Sequence, residues 1–196
     1  MEELPPYAAM VLAGGRAQRL GGQAKPQLRV GDRTMLAAAL DAVGDAAERV
    51  VVGPPQPVPA DVVLTREEPP GGGPVAALRA GLAAVDADVV AVLAGDLPFV
   101  SRALVGELRR RLQRDGVLVV DDTGRDQLLL GVWRTAALRA AVGDPDGPRA
   151  LHRAVAGLAV DRHHPSPAPG EVPAWLDCDT PEELARAREV AHRGRG

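Results

Sequence analysis

Three groups of residues in this 196-residue chain have the types and spacing to handle phosphate. The first is the run LAGGRAQRLGGQAKP at 12–26, which follows an apolar stretch. Gly14 and Gly15 let a backbone rich in N–H groups approach a ligand closely and form an anion-binding concavity. Arg16, Arg19 and Lys25 add full positive charge. Arginine grips two phosphate oxygens at once, while lysine supplies a compact charge that can follow one developing in the transition state. Lys25 is the only lysine; the other 22 basic residues are arginine. The second group is AGDLPFV at 94–100, which sets Asp96 at the tip of an apolar run, where a carboxylate suits a hard cation. Mg²⁺ takes one or two carboxylates and completes its octahedron with phosphate oxygens and water. The third is DCDTPEEL at 177–184. Here Asp179 is either a second metal ligand or a turn-forming residue ahead of a helix, and Asp177 is a weaker alternative to it.

Two familiar phosphate motifs are excluded. Lys25 is preceded by Ala24 and followed by Pro26, so this is not a Walker A loop, and Gly14-Gly15 does not supply the G-x-G-x-x-G of a dinucleotide turn. No Ser–His or Cys–His constellation offers a protein nucleophile.

These residues need elements to hold them, and the chain alternates strand and helix patterns almost end to end. Strands are expected at 7–13, 49–53, 61–65, 88–96, 116–122, 127–134 and 175–179, the fifth and sixth joined by a tight TGRD turn. Helices are expected at 34–43 with Thr34 as N-cap, 75–85 behind Pro74, 101–114 capped by Ser101, 135–142, 148–157 and 180–192. The last carries a capping box of Thr180 and Glu183. Loops fall at 54–59, at the glycine-rich 69–74 and at 163–173, where His163 and His164 are expected in solvent. Trp133 and Trp175 are expected to serve packing. This pattern predicts one domain over 1–196, a three-layer α/β/α sandwich on a mostly parallel sheet. Ligands in such folds bind beyond the carboxyl ends of the strands. That rule selects the loop after 7–13, the loop at 69–74 and Asp96.

Composition sets the outer bounds. A hydrophobic content of 46% is that of a globular chain, and 2% aromatics leaves a core of Ala, Val and Leu. The net charge of −3 argues against nucleic-acid binding, which needs a basic face. A single cysteine, Cys178, allows neither an intrachain disulfide nor a CxxC metal pair. No signal-peptide pattern or membrane-length apolar run is seen, so a cytoplasmic location is expected.

Together these segments resemble the molybdenum cofactor guanylyltransferases and their wider family, which includes sugar-phosphate, isoprenoid and molybdopterin cytidylyl transferases. LAGGRAQRLGGQAK is similar to the family's L-A-G-G-x-x-x-R-M-G-G-x-D-K signature. EEPPGGGPVAAL, AGDLPFV, QLLLGVWR and DCDTPEELARAR resemble four further family segments in the same order. The resemblance implies a Rossmann-like, glycosyltransferase-A-type nucleotidyltransferase fold. It also implies transfer of GMP from GTP to the terminal phosphate of molybdopterin, with Mg²⁺ as cofactor and pyrophosphate as product. Lys25, Arg19 and Asp96 would be catalytic. Leu12, Ala13, Gly14, Gly15, Arg16, Lys25, Gly53, Glu67, Gly72, Gly73 and Asp96 would hold the nucleotide, with Asp96 and Asp179 on the metal. The family's Asp before the lysine is Ala24 here, its Asn after the second strand is Gly53, and its Cys-Asp is Gly95-Asp96. A cytidylyltransferase or another small-phosphate nucleotidyltransferase is the alternative within the fold, and a non-catalytic nucleotide-binding module the alternative outside it. A monomer or weak homo-oligomer is expected, in contact with proteins of molybdoenzyme maturation.

Overall fold

The computed structural model describes residues 4–14, 19–20, 23–167 and 170–193. Seven strands form one sheet: β1 (Ala8–Leu12), β2 (Glu48–Val52), β3 (Val63–Thr65), β4 (Val89–Ala94), β5 (Gly116–Val120), β6 (Asp126–Arg134) and β7 (Val160–His163). Their spatial order is β7-β5-β6-β4-β1-β2-β3. Every pairing is parallel except those of β6, which runs antiparallel to both β4 and β5.

The apolar strand sequences follow from burial on both faces. Along β1, Ala9 and Val11 point into one core with Leu36 and Leu40 of α1 (Met35–Ala42) and Leu104 and Leu108 of α3 (Arg102–Arg111). Ala8, Met10 and Leu12 point into the other. There they meet Leu78 and Leu82 of α2 (Pro74–Leu82), Leu138 and Val142 of α4 (Thr135–Val142) and Leu151 of α5 (Leu151–Ala154). The three layers are therefore those expected. Thr34 and Ser101 cap α1 and α3, accepting from Ala37 N at 3.1 Å and Leu104 N at 3.3 Å. Pro74 opens α2.

A third, smaller core joins Leu28, Val30 and Met35 to Cys178, Leu184 and Ala187. It packs α6 (Pro181–Arg193) against the short Arg29–Thr34 hairpin, and Arg188 Nε donates to Arg29 O at 2.9 Å. The capping box holds: Glu183 Oε2 accepts from Asp179 N and Thr180 N, each at 2.8 Å, and Glu183 N donates to Thr180 Oγ1.

Two expectations are corrected. WLDCD (175–179) is not a strand. Residues 175–179 pair with no strand among the described residues, and Leu176 N instead closes a turn on Pro173 O. β7 itself was hidden because VDRH at a sheet edge alternates too weakly to read as a strand. The helix at 148–157 shrinks to α5, bounded by Gly147-Pro148 and Gly157.

Among the described residues, no helix is long and apolar enough to cross a membrane.

Candidate active site

The connection from β1 moves outward to β2 and β3, and the chain then returns to the other side of β1 with β4. The order in which strands are added therefore reverses between the parallel neighbours β1 and β4, and a crevice opens beyond their carboxyl ends, where α/β sheets bind ligands. Leu12 pairs with Ala94 at the last rung, and Gly95 N donates to Leu12 O at 2.8 Å. Ala13 N donates to Val52 O at 2.8 Å, which ties the loop after β1 to β2. Gly14 and Asp96 thus emerge side by side, each two residues past its strand.

A cavity of about 430 Å³ occupies this crevice. Its wall is Leu12, Ala13 and Gly14 from β1, Glu67, Gly71, Gly73 and Pro74 from the second glycine loop, and Lys25, Asp96 and Asp179. A second cavity of about 970 Å³ lies toward β6 and α5 and includes Arg125, Arg162 and His152. Pro74, Ala94, Asp96, Leu129 and Asp179 belong to both. The two cavities therefore meet at the two carboxylates.

Lys25 stands in a single 3-10 turn, Lys25–Gln27, at the edge of the third core and is only 6% exposed. Its Nζ donates to Asp179 Oδ1 at 2.5 Å. Burial, and then the neighbouring Asp179 charge, push the Asp96 carboxyl above its ordinary range; a backbone hydrogen bond and Lys25 oppose the shift. Asp177 is raised for similar reasons, by desolvation first and then by Asp179, Asp96 and Glu183. The mouth of the site is thus a concentration of negative charge. Among the described residues no group of three or more His, Cys, Asp or Glu side chains forms a metal cluster. The oxygen-only pair of Asp96 and Asp179 fits a hard divalent ion that takes its remaining ligands from phosphate and water.

Glu67, in the loop after β3, is 6% exposed. Its Oε1 accepts from Gly71 N at 2.9 Å, while its Oε2 is buried with no partner among the described residues. A buried, unpaired carboxylate oxygen is costly and marks a place for a donor to arrive. Gly73 has φ +87° and opens α2 with its backbone against the cavity.

Of the residues singled out from sequence, Leu12, Ala13, Gly14, Lys25, Glu67, Gly73, Asp96 and Asp179 converge on one cavity. Gly53 sits behind it against Ala13, and Gly72 packs its backbone on Ala76 while Gly71 takes the wall position. Gly15 and Arg16 lie outside the described residues, as does the side chain of Arg19. Leu129 was missed; it enters through a bulge in β6 between Gln127 and Gly131 that no pattern in the sequence reveals. His163 is corrected: its side chain is 10% exposed, packed with Nε2 3.3 Å from Glu107 Oε1 on α3, and burial lowers its pKa. Trp133 is buried in the core, and Trp175 lines a separate pocket with Val120 and His164.

A family model described as the MobA-like NTP transferase domain matches residues 9–164. A probable molybdenum cofactor guanylyltransferase of Mycobacterium bovis is 37% identical over 138 residues, covering 66% of this chain and 69% of the relative. The molybdenum cofactor guanylyltransferase of Rhodopseudomonas palustris is 28% identical over 98% of both chains. The crystal structure of molybdopterin-guanine dinucleotide biosynthesis protein A from Archaeoglobus fulgidus superposes with a TM-score of 0.71 at 18% identity, over 95% of this chain and 99% of that one.

Proposed function

The chain belongs to the MobA-like NTP transferase family, and from that premise we propose that it transfers GMP from GTP to the phosphate of a molybdopterin-type acceptor, releasing pyrophosphate. Two relatives named as guanylyltransferases support the choice of substrates. The observation that carries the reading is the meeting of two cavities at Asp96 and Asp179. The smaller takes the nucleotide and the larger the acceptor, so the reacting phosphates lie at the junction.

The chemistry asks little of the protein beyond position and charge. A phosphomonoester, with a second pKa of about 6, is largely ionised at neutral pH and attacks without a protein base. An acceptor oxygen forms the new bond to the α-phosphorus as the bond to the β-phosphate oxygen breaks. The loop at Leu12, Ala13 and Gly14 holds the nucleotide by its backbone, and Gly15 and Arg16 join it on sequence grounds. Glu67 accepts a hydrogen bond from the base. Gly72 and Gly73 allow the second loop to close on the ligand. Lys25, with Arg19, neutralises phosphate charge, and Lys25 exchanges its bond to Asp179 for one to phosphate. Asp96, with Asp179, holds Mg²⁺, which when bound spreads the charge that develops on the phosphate oxygens. A cytoplasmic location, and a monomer or weak oligomer in contact with molybdoenzyme-maturation proteins, accompany this reading.

Pyrophosphate release with Mg²⁺, molybdopterin and each nucleoside triphosphate in turn is the test. Release with GTP alone is expected. Release with CTP instead would make the chain a cytidylyltransferase, and tight binding of a triphosphate without release would make it a binding module.

A further inference from the structure

Lys25 and Asp179 are bonded to each other, although the chemistry gives them different partners. Asp179 Oδ1 accepts from Lys25 Nζ at 2.5 Å, so the ammonium sits on one of the two carboxylates that fit a divalent ion. A cation is already seated there, and it belongs to the chain. Asp96 feels the same two charges: Asp179 raises its carboxyl and Lys25 opposes that rise. All three side chains line the smaller cavity, and the two carboxylates line the larger as well.

Both backbones are held. Lys25 begins a 3-10 turn that Leu28 N closes on Lys25 O at 2.9 Å. Gln27 Nε2 donates to Gln56 Oε1 at 2.8 Å, which ties that turn to the loop after β2. Asp179 N donates to Glu183 Oε2 at 2.8 Å within the capping box of α6, and its neighbour Cys178 is fully buried in the third core. Any exchange of partners therefore falls on the ends of the two side chains. The Lys25 side chain is buried, while the Asp179 carboxylate is largely in water. A buried ammonium needs an anion beside it. In the ligand-free chain that anion is Asp179, and a bound phosphate can take its place.

Resting on the reading above of Lys25 as a phosphate group and of Asp96 and Asp179 as metal ligands, we propose that Lys25 is a built-in counter-ion that couples triphosphate binding to metal binding. In the ligand-free chain it holds Asp179 against a divalent ion. A triphosphate draws the ammonium away and frees Asp179, and a divalent ion on Asp179 frees Lys25 for phosphate. Each ligand alone must break the pair, so each binds below its full affinity until the other is present. Coupling of this kind is reciprocal.

The two ligands are measured separately on the full chain: Mn²⁺ alone by electron paramagnetic resonance, and GTP alone in EDTA by calorimetry. Lys25→Met keeps the stem and removes the counter-ion. It is expected to tighten Mn²⁺ about tenfold in the wild-type background but only about twofold beside Asp179→Asn, a coupling of about fivefold. Asp179→Asn keeps the shape and releases the ammonium. It is expected to tighten metal-free GTP about tenfold, and only about twofold beside Lys25→Met. Equal effects in the two backgrounds would overturn the proposal, because diffuse charge acts without the direct pair. So would an Asp179→Asn variant with unchanged affinity for metal-free GTP, a measurement that does not require Lys25→Met to fold. Mn²⁺ bound equally well by wild type and Asp96→Asn would instead overturn the metal reading on which the coupling rests.

Discussion

Lys25 and Asp179, 154 positions apart in the chain, meet in an ion pair of 2.5 Å between a buried ammonium and a carboxylate that is 60% exposed. One partner comes from the turn after the glycine loop and the other from the entry to α6, and the third core fixes both. The pair holds two phosphate-handling groups together at the junction of the two cavities. Because Asp179 is largely in water, the pair contributes little to stability, on the order of 1 kcal/mol or less. Its charges are available for ligand.

That balance separates function from folding at position 25. Lys25→Met keeps the buried aliphatic stem and removes the charge. Turnover is expected to fall about 10²–10³-fold, the usual cost of a lost transition-state charge contact. The melting temperature is expected to change little, because no ammonium then needs a partner. A steady-state pyrophosphate assay beside a thermal melt checks both halves, and a variant with wild-type turnover would remove Lys25 from the chemistry.

Asp96 should show the opposite conflict. Its carboxyl is raised by burial and by Asp179, so the folded chain holds the Asp96 proton more tightly than the unfolded chain does. Stability from that proton is complete below the unfolded value near 3.8 and is lost as pH rises through the raised folded value. Asp96→Asn, which carries no charge at any pH, is expected to melt higher than the wild type at pH 7, with the gap closing toward pH 4. It is also expected to abolish Mg²⁺-dependent turnover. Ligand-free melts across that range read the first effect, and an equal or lower melting temperature at pH 7 would contradict it.

How far the sequence carries can be judged at particular residues. Asp96 and Gly14 were legible because a buried parallel strand is an unbroken apolar run, and its end marks the ligand crevice. The α6 capping box was legible because its bonds lie within four residues. Leu129 and the Lys25–Asp179 pair were not legible: one depends on a bulge and the other on a bond across 154 residues, and neither leaves a local pattern. β7 escaped for a related reason, since an edge strand with one neighbour needs little hydrophobic alternation.

The C-terminal ends of α2 and α4 are joined by a pair of arginines that serve each other's helices. Arg79 on α2 donates from Nε to Val142 O at 2.9 Å and from Nη2 to Asp144 O at 2.7 Å, beyond the end of α4. Arg139 on α4 donates to Leu82 O at 3.0 Å and Val85 O at 2.8 Å, at the end of α2. Each guanidinium satisfies carbonyls that a helix end leaves open, where positive charge is also favoured. Charge-assisted bonds of this kind contribute about 1.5–3 kcal/mol. Arg139→Ala is expected to lower the melting temperature by about 3–10 °C. A double-mutant cycle with Arg79→Ala should show coupling, because the two share both helices. Strict additivity would mean that α2 and α4 are held independently.

Gly53 offers the most direct test of how tightly the nucleotide loop is seated. Its backbone is not in the left-handed region, so alanine there carries no conformational strain. Space is the obstacle. A Cβ would sit 2.7 Å from Ala13 O and 2.9 Å from Ala13 C, both backbone atoms that cannot turn aside. The segment after β1 would have to move away from β2, against the bond from Ala13 N to Val52 O at 2.8 Å and the bond from Gly53 N to Thr65 O at 2.9 Å. Overpacking of this kind costs about 1–3 kcal/mol, and the displacement falls on the atoms that line the nucleotide cavity. Gly53→Ala is therefore expected to weaken GTP binding at least tenfold while the protein stays folded. Gly157→Ala, where a Cβ would meet nothing within 4 Å, is the matched control and should leave both affinity and melting temperature unchanged. Equal GTP affinity in the two variants would mean that the nucleotide does not rest on the Ala13–Gly14 segment.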